Sequence, residues 1–586
     1  RDQGRSHTAS MLAGCVFAFS GFMATNEWPQ MFNGALWMPL ILLFVFRAWR
    51  GEQPLISGWL AGLFLGVAWL SGHHQIPTFI TVALGFLWLY LIFRNRRLWL
   101  SFVLFLSATV LTSALQTLTA WEYGHRAVRW AGAPEPVGWN DLIPYTVHTQ
   151  FSTPPTSLLA VALPGKSVHT EPFMGPIALV LAGLGMWAGF GSPTVRVLSA
   201  LAVFGLLLAI GPATFMHGLL YSLVPLVEKA RSPSMAVVIF NFSLAALTAW
   251  GTDHLHERRR TITGAALLVV AGIALMIAAT PGDDRTFAVG LMSLLAAGAL
   301  AAFRPLLAGP FAALAVLLQL STVCGAYFPN RHDPNVAHNL IKVPQAADVV
   351  AFLHTRTLPL RVAVKDEDIP YNFGDMYGVE QSGGYLASLT SNFDGLELHT
   401  ERSQQVFAVG YYVARKAERP NQIPLFRSRS GLQVFENPDT LPRARVVRRF
   451  RRVANRGAVG RFIADSANDL STTAVMLTEP PQVESCGGPD SVHIIRYIPN
   501  EVRMRANLAC RGLVVLADTN FPGWHATVDG RPAQIHEVYG AFRGVVVEGG
   551  RHIIEMIYRP WTALAGGVLT LAGLASGLLV WLIARR

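Results

Sequence analysis

Charge is scarce in this chain. Of its 586 residues 14% are Asp, Glu, Lys or Arg, against 52% hydrophobic, and mean hydropathy is +0.37. Soluble globular domains carry about 25% charge, so a wholly soluble body is excluded and a polytopic α-helical membrane protein is indicated. Cysteine is scarce too, with four residues and no Cys-x-x-Cys or His/Cys metal spacing, which leaves no sequence support for a zinc or dithiol redox site. Cys15 and Cys324 fall in apolar runs and read as small core residues. Cys486 and Cys510 fall in a polar region, flank neighbouring strands and can form a disulfide in an oxidising compartment. No starting Met is present, nor a charged n-region followed by an h-region and a cleavage site. A chain opening Arg-Asp-Gln-Gly-Arg reads as one lacking its true N-terminus.

What the chain has in quantity is apolar runs. A helix needs roughly 17–20 apolar residues to cross a bilayer. Runs at or near that length lie at 8–25, 31–46, 55–71, 78–93, 98–118, 173–190, 195–210, 235–251, 262–279, 287–303, 306–327 and 561–583, so about twelve spans are expected. Lys and Arg are retained on the cytoplasmic side of short loops. Taken in alternation, one side receives Arg1/Arg5, Arg47/Arg50, Arg94/Arg96/Arg97, Arg196, Arg258–Arg260, Arg304 and Arg585/Arg586. The other side receives the Gly72–Pro77 turn, the segments 121–172 and 211–233, and everything from 328 to 560. Both chain ends are therefore expected on the cytoplasmic side of the membrane, with the large polar region outside.

The expected organisation is a bundle over 1–327 with interfacial segments 121–172 and 211–233. A mixed α/β region over 328–480 and a β-sandwich or jelly-roll module over 481–560 follow, and 561–586 is a last transmembrane helix. Short strands at 492–497, 501–506, 512–516, 525–528, 544–547 and 552–558, separated by Pro, Gly and Asp-Gly turns, carry the β reading. Trp and Tyr in 121–172 suit a segment at the membrane surface, and the Pro-broken 211–233 reads as re-entrant or interfacial.

Ionisable groups at a membrane edge are candidate sites. His73 and His74, in Gly-His-His-Gln-Ile-Pro, are candidate bases, or a polar turn at headgroup level. Glu27, Glu122 and Asp141 are the outer carboxylates beside the bundle, with Glu122 and Arg126 spaced as a helical ion pair. Arg126, Arg129 and Arg231 are candidate phosphate-binding cations, since a guanidinium grips phosphate bidentately, or contacts for lipid headgroups. Gln75, Trp139, His148 and Trp524 are candidate sugar contacts, although a Pro-Gly-Trp turn more often buries its Trp as a structural plug. Two adjacent His make a poor chelate, so no metal is assigned. The basic run 443–456 is a surface feature rather than a nucleic-acid site.

The block 516–530, Leu-Ala-Asp-Thr-Asn-Phe-Pro-Gly-Trp-His-Ala-Thr-Val-Asp-Gly, continues through Gly540-Ala-Phe-Arg-Gly and Gly549-Gly-Arg-His to Tyr558-Arg-Pro. With Phe435-Glu-Asn-Pro, Leu441-Pro-Arg-Ala, Ser20-Gly-Phe-Met, Gly72-His-His-Gln and 224–233, it resembles the bacterial YfhO-type membrane proteins. The resemblance implies a GT-C-like glycosyltransferase. Such an enzyme moves a sugar from a polyprenyl-phosphate carrier to a cell-envelope acceptor, a glycan or lipid such as lipoteichoic acid, on the outer face and with no certain cofactor. Enzymes of that type sit in the bacterial inner membrane and place a catalytic acid on the first outer loop, and this chain is expected to begin after it. Two other functions fit the residues: a transporter or flippase of lipid-linked substrates, and a non-catalytic envelope-glycan-binding protein.

Overall fold

The computed structural model describes residues 1–26, 28–165, 170–229, 231–255, 305–326, 341–356, 360–370, 372–396 and 400–584. The expected spans at 262–279 and 287–303 lie outside the described residues. The helices of the bundle are α1 (His7–Ala18), α2 (Gly21–Thr25), α3 (Pro29–Leu36), α4 (Met38–Arg50), α5 (Pro54–Trp69), α6 (Gln75–Arg94), α7 (Trp99–Gly124), α8 (Tyr145–His148), α9 (Pro176–Gly189), α10 (Pro193–Ile210), α11 (Phe215–Leu223), α12 (Val237–His254) and α13 (Pro305–Ala326), joined at the C-terminus by α14 (Trp561–Ala584). Among the described residues six helical stretches are long and apolar enough to cross a membrane: Pro29–Arg50, Gln75–Arg94, Arg96–Gly124, Pro193–Ala213, Pro233–His254 and Trp561–Val580. Four more are apolar but shorter. The chain is a multi-pass membrane protein. Large apolar side chains stand exposed along α7 and α14, among them Val103, Val110, Leu564, Val568 and Leu571, as a lipid-facing surface requires.

The run 8–25 is two helices, not one. Ser20 breaks it, its Oγ donating to the Phe17 carbonyl at 2.9 Å, and Gly21 then approaches the backbone of 171–173 so closely that a Cβ there would lie 2.7 Å from Glu171. Backbone contact is also the rule between helices: a Cβ on Gly62 of α5 would sit 2.0 Å from the Phe105 carbonyl oxygen of α7. Small residues at such crossings substitute for the hydrophobic drive that lipid removes.

Two of the arginine-bearing segments, the chain start and the Arg47/Arg50 turn, come together at one end of the bundle, with the end of α12 and the start of α10 beside them. Arg47 and Arg50 bind Asp2 at 2.7 and 2.5 Å, Arg5 binds Asp253 at 3.5 Å, and Thr194 donates to Gln3 at 3.1 Å. The opposite end carries the β-rich region.

Its strands are β1 (Ala127–Arg129), β2 (Val362–Val364), β3 (Ser388–Thr390), β4 (Tyr411–Ala414), β5 (Ile423–Arg427), β6 (Gln433–Glu436), β7 (Ala444–Val447), β8 (Arg449–Arg452), β9 (Thr473–Met476), β10 (Ser491–Ile498), β11 (Glu501–Leu508), β12 (Gly512–Thr519), β13 (Trp524–Val528), β14 (Arg531–Ala533), β15 (Ile535–Val538), β16 (Phe542–Val547) and β17 (Gly550–Tyr558). Two antiparallel sheets, β10-β11-β17-β13-β14 and β15-β16-β12-β7, form a sandwich. Met504, Ala506, Ile554 and Met556 of the first face Val514, Leu516, Val545 and Val547 of the second. The other face of the second sheet, Leu513, Val515, Ala517 and Phe542, packs on Phe407, Tyr412 and Val475 of the mixed unit. Strand β12 is thus covered on both sides, which explains its unbroken apolar text. The expected boundary at 480 is therefore too simple: β7 pairs with β12 from Leu513↔Val447 to Leu516↔Ala444, so the sandwich takes its edge strand from upstream. The mixed sheet β2-β4-β6-β5 and the parallel pair β8-β9 complete the region. Cys486 and Cys510 are joined as a disulfide.

The β-rich region is stitched to the bundle in two places. Strand β1, two residues past α7, pairs with β3 through Ala127↔Thr390, Val128↔Leu389 and Arg129↔Ser388. Helix α14 returns along α7, where the Thr562 hydroxyl donates to the Glu122 carboxylate and Thr570 Oγ1 donates to the Thr112 carbonyl at 3.0 Å.

Candidate functional site

The His-His turn follows α5, its reversal made by Gly72 at φ +87°. His74 leads into α6; its Nε2 lies 3.3 Å from Gln116 Nε2 on α7, and its ring centroid lies 5.5 Å from that of Trp69. His73 meets Trp28 edge-on at 6.3 Å, and its buried Nδ1 has no partner. Burial first, then the charges of His74 and Arg129, push His73 down to about 4, and burial followed by Arg129 lowers His74. Both imidazoles are therefore neutral at neutral pH and open to a proton.

The cation acting on them comes from β1. Arg129 Nη1 donates to the Lys229 carbonyl at 3.0 Å, and Arg231 Nη1 donates to the Ala131 carbonyl, so the segments 129–131 and 229–231 are cross-linked by their own guanidiniums. Arg231 also lies 4.8 Å from the Phe151 ring centroid. Among the described residues no carboxylate pairs with Arg129 or Arg231. Burial and the neighbouring Arg231 lower Arg129, and burial lowers Arg231. Arg231 lines a cavity of about 420 Å³ with Thr25, Asn26, Trp28, Phe151 and Ser232 among others; Arg129, His73 and His74 are not part of that lining. Two carboxylate-free guanidiniums beside two neutral imidazoles can receive an anion and take up a proton.

The other candidates from the sequence are dispersed. Glu122 does not pair with Arg126: its buried carboxylate accepts from Thr562, while Arg126 Nη1 reaches only the Glu122 carbonyl at 3.4 Å. The i,i+4 spacing was sound, but a partner on α14 takes the carboxylate. Asp141 caps its own turn, accepting from Gly138 N at 2.9 Å, and its carbonyl accepts from Lys229. Trp139 stacks on His125 at 4.4 Å. His148 is buried with its Nε2 3.2 Å from that of His217, behind α11. Gln75 is buried at the start of α6 with its Nε2 unpartnered. Arg126 and Trp524 line a different cavity. Glu27 lies outside the described residues. Among the described residues no group of three His, Cys, Asp or Glu is arranged to hold a metal.

Sequence reasoning missed Glu171. It follows Thr170, which lines the cavity, and is 8% exposed; one carboxylate oxygen accepts from Gly165 N at 3.0 Å. Burial raises it to about 7. The only signal in the sequence was an acidic residue directly before the apolar Pro172–Met174.

No family model matches the chain, and no curated protein matches it. A solved structure that resembles it is the arabinofuranosyltransferase AftD from mycobacteria, 11% identical, covering 95% of this chain and 49% of that one, with a TM-score of 0.43. The chain thus spans about half the length of that enzyme, and no residue role passes from one to the other.

Proposed function

We propose that the chain is a GT-C-like membrane glycosyltransferase that moves a sugar from a polyprenyl-phosphate donor to a cell-envelope acceptor on the extracytoplasmic face. The observation that carries this reading is the meeting of Arg129 and Arg231, free of carboxylate partners among the described residues, beside the neutral His73 and His74. The arginine-rich turns at the opposite end favour a cytoplasmic position for that end. In transfer, an acceptor hydroxyl attacks the anomeric carbon as the carbon–oxygen bond to phosphate breaks. The guanidiniums take the charge of the departing phosphate, and a neutral imidazole or the Glu171 carboxylate takes the hydroxyl proton. The YfhO-type sequence resemblance supports the same chemistry.

The test is transfer of labelled sugar from a polyprenyl-phosphate donor to envelope glycan by the chain in membranes. Arg129→Gln and Arg231→Gln are expected to lower the rate about 100-fold each. Full transfer by the double variant would overturn the assignment.

A further inference from the structure

Arg126 and Trp524, left outside the cation site, belong to one cavity of about 670 Å³ between the end of α7 and the sandwich. Its aromatic surface is Phe521 and Trp524, with Trp524 half-buried and fixed by the Arg543 guanidinium 3.7 Å from its ring centroid and by Tyr558 at 5.3 Å. Its polar wall is also fixed: Asn392 Nδ2 donates to the Asn520 carbonyl at 2.8 Å, and Glu537 is held by Arg456 at 3.1 Å. Two groups on that wall remain open. Among the described residues no hydrogen bond engages the Asn520 side-chain amide, and the exposed Arg126 guanidinium meets only the Glu122 carbonyl.

Rigid rings beside a free amide, a free guanidinium and a carboxylate match a saccharide, whose C–H faces lie on aromatic rings while its hydroxyls accept and donate. We infer that this cavity binds a saccharide chain, held by Phe521, Trp524, Asn520, Glu537 and Arg126. The Arg126 carbonyl accepts from Ser391 N at 2.8 Å, which fixes this wall to the roof. Three residues of extended chain, about 10 Å, separate Arg126 from Arg129. A chain bound in the cavity therefore presents its end toward the cation site, as an acceptor. That last role rests on the proposed transferase activity; the binding does not.

The test is titration of the full detergent-solubilised chain, without donor, with neutral hexose and pentose oligomers and with a glycerol-phosphate oligomer. Saturable binding of at least one neutral oligomer is expected, weakened about tenfold or more in Asn520→Ala and in Arg126→Gln. Binding confined to the glycerol-phosphate oligomer, no saturable binding, or variants that bind as well as the unaltered chain would overturn the inference. Saccharide binding by a chain that transfers nothing sinks the transferase reading alone, and transfer without oligosaccharide binding sinks this one alone.

Discussion

Arginine is used in opposite ways at the bundle end and inside the β-rich region. Asp518, buried on β12, gathers three guanidiniums. Arg361 and Arg443 reach its Oδ1 at 3.0 and 2.7 Å, Arg543 reaches Oδ2 at 3.1 Å, and the Tyr497 hydroxyl donates to Oδ2 at 3.1 Å. Glu380 adds a second carboxylate on Arg443. At the bundle end Arg129 and Arg231 use backbone carbonyls and a phenyl ring instead. Where a cation is matched inside the chain its work is to hold two units together; where no described carboxylate matches it, the proposed donor phosphate would supply the balancing charge. Burial and Arg443 bring even the matched Arg361 down to about 10, a sign of how crowded with positive charge that node is.

The largest expected effect is at Asp518. Replacing it with Asn leaves three buried cations around a neutral amide and is expected to cost about 3–5 kcal/mol, read as a collapse of the thermal transition of the β-rich region. A melt like that of the unaltered chain would erase the distinction drawn here. Arg129→Gln is the counterpart: transfer falls about 100-fold while stability changes by no more than about 1 kcal/mol. A variant that lost both together would make Arg129 a structural cation like Arg361. Thr562→Val, which strips the hydroxyl from the buried Glu122 carboxylate, is expected to cost about 1–3 kcal/mol, measurable as a lower melting temperature with donor binding kept.

The smallest effect is in pH. Burial, with neighbouring charges, holds His148 and His217 near 4, against the ordinary 6.5. Their folded-state values are depressed, so the stability they contribute is complete above 6.5 and is lost as pH falls toward 4. Glu171, raised from 4.5 to about 7, acts in the opposite sense: its contribution is complete below 4.5 and is lost as pH rises through 7. The double variant His148→Gln/His217→Gln should flatten the acid side of a melting-temperature profile, and an unchanged slope would show that this pair is not its source.

Local text was enough for the elements. Most apolar runs among the described residues are helices, and the alternating strands from 492 onward are where the spacing put them. Contacts that join distant positions were illegible. Thr562 takes Glu122 from 440 residues away, Arg361 and Asp518 are 157 apart, and β1 finds β3 across some 260 residues. Nothing in 126–129 announces that a short strand intervenes, so Arg126 and Arg129 looked like one cluster, yet Arg126 lines the cavity under the sandwich while Arg129 binds the Lys229 carbonyl. Glu171 stayed hidden because a carboxylate's surroundings, not its neighbours in sequence, set its protonation.

The ribbon of β1 and β3 has a mechanical consequence. One strand leaves the end of a membrane helix almost at once, and the other belongs to the roof; Trp130 N on the Ala387 carbonyl at 3.1 Å and Ser391 N on the Arg126 carbonyl at 2.8 Å extend the seam at both ends. A roof tilting to admit a long polymer must therefore carry the tip of α7 with it or part those amides. Opening at the top and movement of Arg129 below become one motion.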